Sequence, residues 1–134
     1  MKPQYLFLAA MCLMACAKEK PAATVTLEAN CFRCAIEESH NGTVWRDSIG
    51  NVPADSILAI SNVISREFTA LVGDEVSISA HALDGLGGFS VVVSAMVNGH
   101  VHGFEFIDPQ SEDSSSTVMV RFVVPELDRF GNSK

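Results

Sequence analysis

The hydrophobic pattern of this chain has a period of two from Thr24 onward. Apolar and polar residues alternate over residues 24–28 and again over residues 76–81, as expected of strands that bury one face. A last strand is predicted over residues 117–124, where Pro125 ends it. Short strands with turn signals about every ten residues predict an all-β fold, an antiparallel Ig-like sandwich of roughly seven or eight strands.

Two Asn-Gly pairs predict tight hairpin turns. Asn41-Gly42 separates two short alternating segments, and Asn98-Gly99 lies at the centre of residues 91–107. A two-residue type I′ loop at Asn98-Gly99 fixes which residues oppose each other and share the core face. These predicted pairs are Val97 with His100, Ala95 with His102, Val93 with Phe104, and Val91 with Phe106.

Residues 54–65 are the segment whose pattern best fits a short helix. Their Ile, Val and Asn content also fits irregular or extended chain, so the assignment stays open.

The N-terminal segment has the parts of a secretion signal. Lys2 precedes an apolar run over residues 5–14, and the run Leu13-Met14-Ala15-Cys16 forms a bacterial lipobox. The apolar run is shorter than the ~20 residues that span a bilayer. The pattern predicts a lipoprotein signal peptide over residues 1–15, with cleavage before Cys16 and lipidation of Cys16. An uncleaved anchor and an ordinary signal peptide are the alternatives.

The remaining chain divides into three predicted parts. Residues 16–23 form a charged, Pro-containing flexible tether, residues 24–125 form the sandwich domain, and residues 126–134 form a C-terminal tail. Residues 16–134 are long enough for one domain with its own core. We expect this domain at the cell membrane or outer membrane, in the periplasm or at the cell surface.

The charge balance is acidic. The chain has 9 Lys and Arg against 16 Asp and Glu, a formal net charge of −7. Removal of residues 1–15 takes away Lys2 alone among these and leaves −8. This balance disfavours nucleic acid and anionic lipid head groups as partners.

Cys31 and Cys34 form a Cys-x-x-Cys pair in a chain expected in an oxidising compartment. Three steps along a strand cover about 10 Å, whereas the Cα atoms of a disulfide lie within about 7 Å. The pair can therefore form a structural disulfide only if residues 30–34 turn tightly. Free thiols and a redox or metal role are the alternatives, although a redox motif needs a following helix and residues 35–42 predict strand and turn.

His100 and His102 stand two apart on a predicted strand and would point the same way, as paired metal ligands do. The sequence offers no clear third ligand, so half-exposed rim histidines are the simpler interpretation and copper or zinc binding is the alternative. His81 is expected to point away from the core.

Other polar residues carry weaker signals. Glu37 and Glu38 are adjacent on a strand and so face opposite ways; with His40 they are interpreted as solvated hairpin groups. Trp45 is interpreted as a packing residue, with partner contact as the alternative. The chain has no Gly-x-Ser-x-Gly or His-Glu-x-x-His motif. We therefore expect a protein that is not an enzyme and needs no cofactor.

Residues 66–106 resemble a known family. Arg66-Glu67-Phe68-Thr69-Ala70 leads to Gly73-Asp74-Glu75-Val76, and residues 91–97 form a strand that ends in Asn98-Gly99. This order is similar to the MmpS-like bacterial proteins, small exported β-sandwiches tethered to a membrane. The resemblance covers about residues 24–124. It implies an Ig-like sandwich with an accessory role beside a membrane exporter or another envelope complex, and it supplies no catalytic residues.

The sequence therefore predicts a lipid-anchored, non-enzymatic envelope lipoprotein that binds or supports another envelope component. The alternatives are a small envelope metal-binding protein or enzyme that uses His100 and His102, and a structural surface lipoprotein.

Overall fold

The computed structural model of the chain describes residues 19–50, 62–83, 90–107, 116–128, 130 and 132–134. These residues form eight strands, and each strand runs in the direction opposite to that of the strand before it in sequence. They are β1 (Ala22–Cys31), β2 (Cys34–His40), β3 (Thr43–Ile49), β4 (Asn62–Leu71), β5 (Glu75–Ala82), β6 (Val91–Val97), β7 (His100–Ile107) and β8 (Thr117–Val123).

The strands form two four-stranded antiparallel sheets. Sheet A has the order β4-β1-β6-β7 and sheet B the order β3-β2-β5-β8. The predicted all-β sandwich of seven or eight strands is confirmed. The chain first passes from sheet A to sheet B over the bend Phe32-Arg33, and it passes again from β4 to β5 over the 72–74 turn. No helix is present within the described residues.

The core lies between the two sheets and is built from small and branched side chains. Alternate residues of β1, β5 and β6 are buried, as the period of two predicts. The largest fully buried apolar side chains include Leu27, Ile36 and Ile78. The inward positions of the described strands are mostly Ala and Val, and Phe68 and Phe122 pack against this core as partly buried side chains.

The first strand begins earlier than the predicted domain boundary at residue 24. Ala22 and Ala23 pair with Leu71 and Ala70 of β4, and the carbonyl of Pro21 accepts a hydrogen bond from the Val72 amide at 2.9 Å. The chain is thus held to the sandwich from Pro21 onward. Residues 1–18, including the predicted signal peptide and Cys16, lie outside the described residues.

The C-terminal tail has local order of its own. Leu127 forms a β-bridge with Ser133, and Lys134 Nζ lies 2.6 Å from Glu126 Oε1. Leu127 also packs against the core, so the tail continues the fold beyond the end of β8.

The β6–β7 hairpin has the predicted turn, but the register predicted for the residues beyond the turn is wrong. Asn98 and Gly99 both have positive φ, 50° and 79°, which a type I′ loop requires, and Val97 pairs with His100. A β-bulge then leaves His102 without an opposite residue, and Ala95 pairs with Gly103 instead of His102.

Gly103 explains the shifted register. It takes the inward position opposite Ala95, where a Cβ atom would overlap Cγ1 of Val120 on β8. Only a glycine fits this close approach of the two sheets. Phe104 and Phe106 consequently pair with Ser94 and Val92 and leave the core face on which they were predicted.

Part of the predicted helical segment is strand. Residues 62–65 belong to β4, which pairs with β1 along its whole length, whereas residues 54–61 lie outside the described residues. Pairing with a central strand overrides the weak local preference of Asn62 to Ser65.

The alternating strand directions give the sandwich two distinct ends. The start of β1, the end of β8 and the tight turns at residues 41–42, 72–74 and 98–99 lie together at what we call the turn end. The Cys31–Cys34 bend lies at the opposite, crossover end. No helix in the described part of the chain is long and apolar enough to cross a membrane.

Candidate functional site

The Cys31–Cys34 pair lies where the chain passes from sheet A to sheet B. Cys31 ends β1 and Cys34 begins β2, so the turn is confined to Phe32 and Arg33. Their Cα atoms are 6.3 Å apart, and the two sulfurs form a disulfide. Both cysteines are buried in the core, which gives the bridge a structural position.

His100 and His102 are exposed at the turn end of β7. The bulge at His102 interrupts the regular alternation that would place both imidazoles side by side. The His102 ring instead contacts the ring of Phe122 on β8, with centroids 5.0 Å apart. Among the described residues, no group of three His, Cys, Asp or Glu side chains is placed to hold a metal ion.

His81 lies on the outer face of sheet B. It is exposed, and its Nδ1 lies 2.7 Å from Thr117 Oγ1 and 3.2 Å from Ser116 Oγ. This position agrees with the expectation that His81 points away from the core.

Glu38 occupies a position that the sequence interpretation missed. Glu37 is exposed, but Glu38 faces the interior and is 1% exposed. The interpretation of Glu38 as a solvated hairpin group is therefore wrong. The alternation that placed the two carboxylates on opposite faces was the available signal, since Ile36 and Glu38 must share a face.

Arg66 of β4 provides the charge partner of Glu38 from the opposite sheet. Its Nε donates to Glu38 Oε2 in an ion pair. Buried carboxylates need such a partner because an isolated charge is costly away from water. Glu38 Oε1 has no hydrogen-bond partner among the described residues.

Aromatic rings enclose this ion pair. The guanidinium of Arg66 lies 5.1 Å from the Trp45 ring centroid, a cation–π contact. Trp45 is 5.8 Å from Phe68, and Phe68 stacks on His40 at 5.0 Å. Trp45 therefore packs between β3 and β4.

His40 joins the group to the turn end. Its Nε2 lies 2.7 Å from Asp74 Oδ2, and the same carboxylate oxygen accepts a hydrogen bond from the Leu71 amide at 2.8 Å. Hydrogen bonds from Asn41 and His40 lower the pKa of Asp74 from 3.8 to about 2. Asp74 is therefore a fixed anion that caps the β4–β5 turn.

We call these six residues the inter-sheet cluster: Glu38, His40, Trp45, Arg66, Phe68 and Asp74. The cluster connects β2 and β3 of sheet B to β4 of sheet A through an ion pair and ring contacts. The guanidinium is engaged by both a carboxylate and an indole, and Asp74 is engaged by three donors. Because these charged groups are engaged with one another, the geometry favours a structural role for the cluster, in which it holds the two sheets together.

The second notable surface is on β7, the edge strand of sheet A. Val101, Phe104 and Phe106 are 69%, 56% and 58% exposed, and they oppose Met96, Ser94 and Val92 on the outer face of β6. The rings of Phe104 and Phe106 lie 6.0 Å apart. We call these three exposed residues the β7 face. Contiguous exposed apolar side chains are typical of interaction sites.

The sequence contained one signal for the β7 face. A glycine inside a strand indicates a bulge or a close backbone approach, and Gly103 stands between His102 and Phe104. A prediction based on uninterrupted alternation takes no account of this glycine and places both phenylalanines in the core.

No family model, no curated protein and no solved structure matches the chain. The resemblance to MmpS-like proteins and the Ig-like topology stay predictions from sequence motifs. The fold and the positions of the candidate residues, in contrast, rest on the strand pairing and contacts described above.

Proposed function

We propose that this chain is a lipid-anchored, non-enzymatic envelope lipoprotein that serves as a binding or accessory module for another envelope component, such as an exporter. Its place would be the cell membrane or outer membrane, with the domain in the periplasm or at the cell surface. The lipobox that ends at Cys16 supports the anchor. The β7 face supports the binding role, and it is the observation on which this proposal depends.

The β7 face has the composition of a contact surface. Its centre is a pair of phenylalanines, and aromatic residues are enriched at the cores of protein interfaces. It lies on β7, which is the edge strand of sheet A among the described residues, so no described strand of that sheet stands between it and a partner on that side. Half-buried Val92 and Met96 extend the apolar area onto β6.

The outer face of sheet B provides a natural comparison. Ser77 and Ser79 of β5 lie there beside Glu37 and Arg46, which form an exposed ion pair at 2.9 Å. These polar groups are well suited to solvent, although Met119 and Val123 of β8 are exposed on the same outer face. The distinguishing feature of the outer face of sheet A is its pair of neighbouring phenylalanine rings, and this aromatic pair favours binding through sheet A.

The metal-binding alternative has less support. His102 contacts Phe122, and the bulge removes the regular strand geometry on which paired histidine ligands depend. The alternative of a structural surface lipoprotein differs in its partner, which would be further copies of the same chain.

In-cell photo-crosslinking tests the binding role. A photoreactive amino acid replaces Phe104 in one variant and Ser79 in a matched control, both in the full-length, membrane-localised protein. We expect one discrete adduct with another envelope protein from position 104 and none from position 79. Equal adducts from both positions, or none from position 104, would contradict binding through the β7 face. An adduct of the chain with itself would favour the structural alternative.

Metabolic labelling with an alkyne fatty acid tests the anchor. We expect label in the wild-type protein and its loss in Cys16→Ala. Equal labelling of the two proteins, or no labelling of either, would remove the anchor from the proposal.

A further inference from the structure

The spacer between Cys16 and the sandwich is short. Pro21 is already held by the Val72 amide, so only residues 17–20 are left to span the distance from Cys16. Five Cα–Cα steps reach at most about 17 Å when fully extended. The polar head-group layer takes up roughly 6 Å of that length. The anchored sandwich must therefore stay within about 11 Å of the membrane surface.

The start of β1 determines which end of the sandwich is near the anchor. Asn98 Oδ1 accepts a hydrogen bond from the Thr24 amide at 2.9 Å, and the Asn98 amide donates to the Thr24 carbonyl at 2.8 Å. The 98–99 turn therefore lies beside the first residues of β1. β1 itself has ten residues, which places the crossover end about 30 Å farther away.

Exposed apolar side chains are distributed around this turn end. Leu71 lies at the end of β4, Val123 at the end of β8, Val101 near the start of β7 and Val44 near the start of β3. Each belongs to a different strand and lies next to a turn or strand end. Val101 and Val123, on strands of opposite sheets, are the two most exposed of the four.

The charged groups at the turn end are largely paired with each other. Asp74 pairs with His40, Glu75 with Arg121 and Glu126 with Lys134. Paired charges make the approach to a bilayer surface less costly than unpaired acidic groups would. They also give no excess of positive charge that would require anionic lipids.

We propose that the turn end of the sandwich rests on the lipid surface, with Val101 and Val123 in contact with the bilayer interface. This inference rests on the proposed lipidation of Cys16 and deepens the proposed function by giving the orientation of the domain. Apolar contact supplements a lipid anchor, since stable membrane attachment uses more than one signal. In this orientation Val101 contacts the bilayer, whereas Phe104 and Phe106 of the β7 face lie farther along β7 from the membrane, where a membrane-bound partner can reach them.

Depth-dependent quenching in vesicles tests the orientation. The full-length lipidated protein is purified as V101C or as V63C, labelled with an environment-sensitive NBD dye, and incorporated into phosphatidylcholine vesicles with or without doxyl-labelled lipid. Val63 is an exposed apolar residue at the crossover end and is the matched control. Mass spectrometry first establishes that each preparation carries its acyl chains.

We expect a blue-shifted emission and loss of fluorescence with doxyl lipid at position 101, and neither effect at position 63. The absence of quenching at position 101 in acylated protein would overturn the inference and leave the anchor intact. Equal quenching at both positions would also overturn it, because the sandwich would then lie flat. A preparation without acyl chains would instead contradict the proposed function.

Discussion

The carboxylate of Glu38 on β2 and the guanidinium of Arg66 on β4 form an ion pair across the two sheets. Glu38 is almost completely buried, whereas Arg66 is about one-third exposed and lies over Trp45. The charge of Glu38 therefore lies within the apolar layer between the sheets, and its partner Arg66 remains in contact with solvent. The ion pair links sheet A to sheet B directly.

Loss of Arg66 should destabilise the protein strongly. Arg66→Ala leaves the Glu38 carboxylate buried without its partner and removes the contact with Trp45. We expect a fall of about 2–3 kcal/mol in the free energy of unfolding, below the upper end for a fully buried pair because Arg66 is partly solvated. Urea denaturation followed by Trp45 fluorescence measures it.

The exposed Glu37–Arg46 pair on the same hairpin is the control. Both side chains are at least half exposed, so Arg46→Ala should cost less than about 1 kcal/mol. If the two substitutions cost the same, burial of Glu38 is not the source of the effect.

Much of the fold was predictable from the sequence because the period-two pattern is strong. The alternation in β1, β5 and β6 predicted their buried faces, and each Asn-Gly pair predicted its turn. Strand pairing between distant segments, such as β1 with both β4 and β6, depends on tertiary contacts that no local pattern encodes.

The candidate surfaces were less predictable for a physical reason. The β7 face depends on a single extra residue, and a shift of one residue moves every following side chain to the other face. Burial of Glu38 depends on Arg66, which is far away in sequence and becomes a partner only when the sheets pack. The local signals, Gly103 within a strand and the shared face of Ile36 and Glu38, indicate an irregularity and a buried carboxylate, but they give neither the new register nor the identity of the partner.

The close approach at Gly103 predicts a second stability effect. Gly103→Ala places a Cβ atom against Val120 of the facing sheet, and overpacking of a core typically costs about 1–3 kcal/mol. Gly50→Ala is the control, since a Cβ there meets nothing within 4 Å. Thermal unfolding of both variants would measure the difference.

A compensating substitution makes this prediction sharper. Val120→Ala removes the methyl groups that the added Cβ would meet, so the double variant should lose less than the two single variants combined. Strictly additive losses of stability would mean that the side chains at positions 103 and 120 do not interact.

The Cys31–Cys34 disulfide closes a very small loop, and its stabilising effect should be correspondingly modest. The chain-entropy relation gives about 2 kcal/mol for a loop of this length. We expect reduction of the purified domain, or Cys31→Ala/Cys34→Ala, to lower the urea midpoint without unfolding the protein. Two thiols titrating in the unfolded, unreduced protein would show that the bridge does not form.

Asp74 predicts a specific loss of stability in acid. Its pKa is about 2 in the folded protein against 3.8 ordinarily, so the unfolded chain binds a proton more readily. The stabilisation is complete above pH 3.8 and is lost as the pH falls towards 2. Asp74→Asn should therefore be less stable than wild type at neutral pH, by about 1 kcal/mol for each hydrogen bond lost.

The difference between wild type and Asp74→Asn should shrink between pH 4 and pH 2, as measured by urea unfolding at each pH. Asp47→Asn changes an exposed carboxylate on β3 and controls for net charge. A wild-type advantage that stays constant down to pH 2 would contradict the lowered pKa of Asp74.

The intact mass of the protein extracted from cell membranes tests the central claim most directly. We predict a chain that begins at Cys16, consists of residues 16–134 and carries the added mass of fatty acyl groups at its amino terminus. A chain that still contains residues 1–15, or one that begins at Cys16 with no acyl mass, would contradict the lipid-anchored account.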